Sequence, residues 1–392
     1  MQCAFTAFLP RVATDMKLKY GFISADDHVQ EHPEVWTQRM SKAKWDKRIP
    51  HVERQADGVE CWMIDGKKAD LRGVALAGAA MPDRAREPQR WEEVPRAAYV
   101  PSERLTAMDV DGVDYSVLYP TVAGRAGETF GSLTDPEFEL ACCEAYNDWL
   151  IEEWAAASPR FIPQCIVPLS PIEATVKEIR RAVAKGHRGV VLPSVPMMLR
   201  KVPHINEAVY DPVWATCQEL DVPVCFHSGA TREIQFPPYE GFTTEVAAAL
   251  EAITRPVSSV LIVANFLYSQ ILHRFPKLKV VFAETSLAWG AYELELADHQ
   301  FERQRINTEG YDLTPSQLFK RNCHLVGWFD TTGMKTRHHI GLNSILWSTN
   351  FPLGTSTWPE SRRAIARCFD GVPESERRQV LVDNTAKLYK LA

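Results

Sequence analysis

Residues 161–194, FIPQCIVPLSPIEATVKEIRRAVAKGHRGVVLPS, decide the fold. The apolar runs FIPQCIVPL (161–169) and RGVVLPS (188–194) read as buried strands. Between them, IEATVKEIRRAVAKG (172–186) places its apolar residues three and four apart and stops at a glycine, the pattern of an amphipathic helix. Strand, helix, strand is a parallel unit, because parallel partners need a crossover connection. Runs of the same strand type recur on both sides: YGFISAD (20–26), VDYSVLYP (113–120), VPVCFHS (222–228), LKVVFAE (278–284), NCHLVG (322–327) and SILWSTN (344–350). Helical patterns such as DPEFELACCEAYNDWLIEEWAAA (135–157) and DPVWATCQEL (211–220) alternate with them. Together the strand runs reach eight, the number that closes an α/β (β/α)8 TIM barrel.

One stretch breaks the alternation. Residues 40–105 carry Asp-Gly turns in QADGVE and MIDGKK around the short run VECWMI, then an Ala, Pro and Arg-rich segment. This predicts an insertion after the first strand, with a hairpin over the barrel mouth. A second long loop, GATREIQFPPYEGFTTE (229–245), follows the fifth strand, where barrels place ligands. Residues 1–16 are expected to be a loose extension, with Met16 as an alternative start, ahead of a single barrel domain over 17–392.

Hydrophobic residues make up 45% and charged residues 24%, enough to bury a large core without staples. The net charge is −6 and the basic residues are scattered, which argues against nucleic acid or an anionic membrane as partner and for a small-molecule substrate. Nine cysteines, an odd count without CxxC pairing, read as buried thiols in a reducing cytoplasm. No apolar run approaches the roughly 20 residues that span a bilayer. There is no GxGxxG after a strand and no P-loop, so nucleotide binding has no motif. The helices around Trp149, Trp154 and Trp289 leave two alternatives, a cover for the barrel or the interface of a homo-oligomer.

In a parallel barrel the C-terminal strand ends converge on one face, so polar residues there are the first candidates for chemistry. The first strand ends in Asp26-Asp27-His28, and alternation puts Asp26 and His28 on the same side. The fifth ends in His227, the sixth in Glu284 and the eighth in Asn350. Taken singly, Asp26 fits a turn cap and His227 a loop-bonding imidazole; their convergence at one mouth is what suggests a shared metal ion. His51, His187, His204, His273, His299, His338 and His339 fall away from the strand tops and are expected in surface or packing roles. His324 lies inside the seventh strand and is left open.

At these positions the chain resembles the amidohydrolase-related family, in its branch of aminocarboxymuconate semialdehyde decarboxylase and the aromatic-acid decarboxylases. The resemblance runs from about Lys17 to the C-terminus by the order of motifs under barrel logic. ISADDHVQEHPEVW is similar to the Asp-x-His…Glu-Pro…Trp opening, and RLTAMDVDGVDYSVLYPT to the approach to the second strand. HRGVVLPSVP and YDPVWATCQELDVPVCFHSG match the fourth and fifth strand segments. HRFPKLKVVFAETSLAWGAYELELAD and SILWSTNFPLGTSTWP match the sixth and eighth.

The resemblance implies one divalent metal ion, zinc or manganese, held by Asp26, His28, His227 and the eighth-strand position. That position is an Asp in the family and Asn350 here, and the family His that follows is Leu353. A neutral amide oxygen still coordinates, but it attracts a dication less and cannot move a proton. Glu284 is therefore the candidate proton carrier. The family glycine pair after the sixth strand is Thr285-Ser286, which narrows the space there. Arg125, in the loop VAGRAGE, is a candidate fork for a substrate carboxylate, with a solvated loop arginine as the plainer reading.

The implied activity is that of a metal-dependent lyase or hydrolase acting on a small carboxylated, aromatic molecule, with non-oxidative decarboxylation preferred. A hydrolase of a lactone, amide or C–C bond is the alternative within enzymes. A metal-poor ligand-binding barrel without catalysis is the alternative outside them.

Overall fold

The structure is a computed structural model, and it describes residues 16–71, 73–82, 87–228, 240–306 and 310–391. All eight expected runs are strands. The first is β1 (Ile23–His28), and after it come three short strands, β2 (His51–Arg54), β3 (Glu60–Ile64) and β4 (Lys67–Lys68). The remaining seven are β5 (Tyr115–Tyr119), β6 (Phe161–Ile166), β7 (Gly189–Val191), β8 (Val224–His227), β9 (Val280–Ala283), β10 (Cys323–Gly327) and β11 (Ile345–Trp347). They pair in parallel in the order β1-β5-β6-β7-β8-β9-β10-β11.

The ring is joined just past the end of β11. Asn350 N–H donates to Asp26 O at 3.0 Å, and His28 N–H donates to Phe351 O at 2.7 Å. Thr349 N–H reaches Ser24 Oγ at 2.9 Å. These bonds set the first and last strands side by side, which matters because both end in candidate ligands.

Helices cover the barrel as the periodicity predicts, with Pro136–Trp149, Ile172–Lys185 and Asp211–Leu220 at the expected places. The first of these is capped by Asp135, whose carboxylate accepts from Glu137 N–H and Phe138 N–H. Trp149 and Trp154 are wholly buried within the chain and meet edge to face, so they belong to the cover of the barrel. The eight described cysteines are free and buried. Among the described residues, no helix is long and apolar enough to cross a membrane.

The insertion is a three-stranded antiparallel sheet, β2-β3-β4, where the turns predicted a hairpin. Its third strand is only Lys67-Lys68, too short and too polar to signal itself. The expected boundary near 105 falls inside the helix Pro101–Asp111, which starts with proline at its first turn and ends at Gly112 with φ of 85°. The segment after the sheet reaches the barrel mouth: Ala79 N–H donates to Pro352 O at 3.0 Å and Leu76 N–H to Gln30 Oε1 at 3.1 Å. Most of the second long loop, 229–239, lies outside the described residues, as do residues 1–15 of the expected extension.

The approach to β1 depends on a single carboxylate. Asp114 accepts the backbone N–H groups of Lys19 (2.7 Å), Tyr20 (3.1 Å), Gly21 (2.6 Å) and Phe22 (3.2 Å). Replacing it by alanine leaves these donors without that partner. Asp114→Ala is expected to cost about 1–3 kcal/mol for each donor that stays buried and unsatisfied. Urea unfolding followed by circular dichroism measures this, and an unchanged midpoint would contradict it.

Candidate metal centre

The site is built where β1, β8, β9 and β11 end. A register shift in β1 between Ser24 and Asp27 bends the strand there, yet Asp26 and His28 keep the same inward side. Asp27 points the other way. Its carboxylate accepts from Ser24 Oγ (2.8 Å), Ser116 Oγ (2.5 Å) and Thr349 Oγ1 (2.6 Å). Burial pushes its pKa up to about 6, with nearby Arg104 opposing the rise. Arg104 is itself buried and donates to His28 O at 2.7 Å and Ala97 O at 2.8 Å, tying the end of β1 to the covering helix.

The two inward imidazoles are fixed by their rear nitrogens. His28 Nδ1 lies 2.9 Å from Pro120 O and His227 Nδ1 lies 2.9 Å from Ser228 O. A carbonyl only accepts, so each Nδ1 carries the hydrogen and each neutral ring presents a lone pair at Nε2. The two Nε2 atoms are 3.1 Å apart, and Asp26 Oδ1 lies 3.6 Å from one and 3.5 Å from the other. Both Asp26 carboxylate oxygens are buried and lack a hydrogen-bond partner among the described residues.

Two lone pairs and an unpartnered carboxylate facing one another require positive charge between them. Burial, and then His227, push the His28 pKa down to about 4. At His227 burial also acts downward, but Asp26 and then Glu284 outweigh it and raise the pKa. A proton on His227 supplies one positive charge; a divalent cation satisfies all three groups. The ligand atoms of Asp26, His28 and His227 lie within 4.8 Å of one another, the only such cluster among the described residues. The residues thus fit the implied metal.

Glu284 and Asn350 stand beside this cluster, both buried and both in the left-handed backbone region, with φ of 51° and 60°. Asn350 Nδ2 donates to Glu284 Oε1 at 3.0 Å and to Thr355 Oγ1 at 2.8 Å. The other carboxylate oxygen, Glu284 Oε2, lies 3.8 Å from His227 Nδ1 and 3.3 Å from Arg125 Nη1. Arg125 is therefore no solvated loop arginine; its side chain is 19% exposed and reaches into the site. Its loop is held by Glu128, which accepts the N–H groups of Arg125 and Ala126, and by Glu31, which accepts those of Thr121 and Val122.

The other histidines stay out of the site. His187 is buried with Nε2 3.0 Å from Asn147 O, a packing role. His324 sits at the start of β10 near Lys279 and Lys387, at the end of the barrel opposite the ligands, and burial lowers its pKa to about 4. Of the glycine-pair substitutes, Ser286 has φ of 57°, a conformation glycine adopts without strain. Two residues of the site were not singled out from the sequence. Tyr119, the last residue of β5, sets its ring 5.9 Å from His28 and 5.3 Å from His227; its place at a strand end was the available signal. Thr355 lies in the loop after β11 and gave none.

Comparison with known proteins places the fold and the family. The chain is 24% identical over 315 residues to the gamma-resorcylate decarboxylase of Polaromonas sp. (strain JS666 / ATCC BAA-500), covering 77% of this chain and 91% of the relative. Among solved structures, an amidohydrolase of Mycobacterium avium subsp. paratuberculosis K-10 aligns with a TM-score of 0.73 at 21% identity, covering 95% of this chain and 100% of its own. A dihydroxybenzoic acid decarboxylase from Polaromonas sp. JS666, with bound manganese and the inhibitor 2-nitroresorcinol, aligns with a TM-score of 0.64 at 19% identity, covering 95% and 98%. The sequence profile described as amidohydrolase matches residues 89–391. With that match spanning the barrel from its second strand to its last helix, the chain belongs to the amidohydrolase family.

Proposed function

We propose that the protein is a divalent-metal-dependent carboxy-lyase that removes carbon dioxide from a small hydroxylated aromatic acid. The observation that carries this reading is the pair of Nε2 lone pairs 3.1 Å apart beside the unpartnered Asp26 carboxylate. Asp26, His28 and His227 would hold the ion, with Asn350 Oδ1 as the fourth protein ligand. Manganese is preferred over zinc because a decarboxylase relative of the same fold holds manganese. When bound, the ion supplies positive charge that grips a substrate oxygen and stabilises the charge left as carbon dioxide departs.

The protein's own groups divide the remaining work. Arg125 offers its planar guanidinium to the substrate carboxylate from the loop after β5. Tyr119 walls the ligand cluster with its ring. Glu284, a carboxylate at rest, would take up a proton from solvent at Oε2, the oxygen that faces Arg125 and His227, pass it to the ring carbon as the carbon–carbon bond breaks, and return to the carboxylate. Arg125→Met is expected to raise KM for a carboxylated substrate about ten- to a hundredfold, the value of a charge-assisted hydrogen bond, while metal content stays unchanged. Steady-state kinetics beside elemental analysis checks this. An unchanged KM would return Arg125 to a structural role.

The test of the whole reading is metal content per chain in protein purified without added metal, followed by chelation and reconstitution. About one equivalent of manganese or zinc, with turnover of dihydroxybenzoates lost on chelation and restored by manganese, supports it. Protein that takes up neither ion at about millimolar concentration, where the binding free energy is only about 4 kcal/mol, favours the ligand-binding barrel. A metal-loaded protein that opens lactones and leaves aromatic acids intact favours the hydrolase.

A further inference from the structure

Asn350 stands where the family resemblance implies an acid, and its carboxamide is engaged on one side only. Nδ2 donates to Glu284 Oε1 at 3.0 Å and to Thr355 Oγ1 at 2.8 Å. Oδ1 is buried and lacks a hydrogen-bond partner among the described residues, as do both oxygens of Asp26. The backbone brings these groups together, since Asn350 N–H donates to Asp26 O at 3.0 Å. Asparagine is also among the few residues that tolerate the left-handed φ of 60° found here.

Chemistry decides which way round the amide sits. Turned over, it would set Oδ1 against the Glu284 carboxylate, acceptor against acceptor, and would leave a buried N–H pair without an acceptor in place of a buried oxygen. Thr355 reinforces the choice. Its hydroxyl lies 3.4 Å from Glu284 Oε1, so it donates to the carboxylate and keeps a lone pair for Asn350 Nδ2. Carboxylate, hydroxyl and amide therefore close a triangle with one direction.

We propose that Thr355 and Glu284 Oε1 lock the Asn350 carboxamide so that Oδ1 faces Asp26, His28 and His227, making a neutral side chain a defined oxygen ligand for a divalent cation. This rests on the metal-centre reading above. Thr355 is a positioning residue: it acts through Asn350. The negative charge absent from position 350 is held at Glu284, and a carboxylate placed at 350 would face it across the 3.0 Å now bridged by an N–H. Asn350→Asp alone is thus no simple restoration of the family ligand, although that is how the sequence invites it to be read.

The experiment is a manganese titration of chelator-stripped protein, followed by loss of the free-ion electron paramagnetic resonance signal, for the wild type and for Thr355→Val, Thr355→Ala and Thr355→Ser. None of these variants changes charge. The lock predicts that Thr355→Val and Thr355→Ala weaken manganese binding about ten- to a hundredfold, the usual cost of losing a partner that orients a ligand, and that Thr355→Ser stays within about threefold of wild type. Thr355→Ala repeats the loss of the hydroxyl without the second methyl of valine, and circular dichroism of the metal-free proteins separates misfolding from weak binding. If the wild type binds manganese and both Thr355→Val and Thr355→Ala bind as tightly, the lock is overturned and the metal centre stands. If Thr355→Ser falls as far as Thr355→Val, a hydroxyl at 355 is not what matters and the lock is overturned again. A wild type that binds no manganese overturns the metal centre and the lock together.

Discussion

His227→Ala is expected to abolish retention of manganese through gel filtration and to weaken its affinity by more than the roughly hundredfold that changes behind the ligands cost. The reason is geometric. His227 Nε2 is 3.1 Å from His28 Nε2 and 3.5 Å from Asp26 Oδ1, so it faces both other donors. Thermal unfolding with and without the ion gives a second readout. Manganese at about a hundred times its dissociation constant stabilises the wild type by about 2.7 kcal/mol and should leave the variant's melting temperature unmoved. The metal-free variant should melt no lower than the metal-free wild type, apart from the cavity left by the ring, because the substitution removes one of two opposed lone pairs. A variant that keeps its manganese would remove His227 from the ligand set.

The second large effect is at Glu284. Glu284→Gln is expected to lower kcat about a hundred- to ten-thousandfold at saturating manganese, the usual contribution of a placed proton carrier. Saturation matters, because Glu284 Oε1 also holds the Asn350 amide and the variant should bind the ion less tightly as well. Extra manganese would recover occupancy and leave the turnover deficit. Full kcat at saturation would assign the proton transfer to another group.

The barrel was legible because its signals are local. Each strand run is apolar and bounded by turns or helix starts, and the periodicity changes from two or continuous to three and four between runs. Asp26 and His28 were legible as a pair through alternation alone, and the register shift in β1 did not overturn it. The family profile carries the same reading from residue 89 onward.

What stayed hidden depends on distant partners. Sequence reads Asn350 as a weakened ligand, but not the direction of its amide, which Glu284 and Thr355 decide from 66 and 5 residues away. Arg125 gave only a choice between fork and solvated loop until Glu284 was seen beside it. The helix Thr244–Tyr268 was also obscure, since Pro256 lies inside it and its start overlaps a segment that reads as loop. The third strand of the insertion is two lysines, which carry no strand signature at all.

The central claim, that this metal centre breaks a carbon–carbon bond to a carboxylate, is tested most directly by isotope release. Manganese-loaded protein is incubated with dihydroxybenzoic acids labelled with carbon-13 in the carboxyl group, and labelled carbon dioxide is followed by mass spectrometry beside the chelated protein and His227→Ala. Labelled carbon dioxide and the matching phenol are expected from the loaded wild type, and neither from the two controls. Loaded wild type that releases no label from any of these acids, or a His227→Ala protein that releases as much as the wild type, would contradict it.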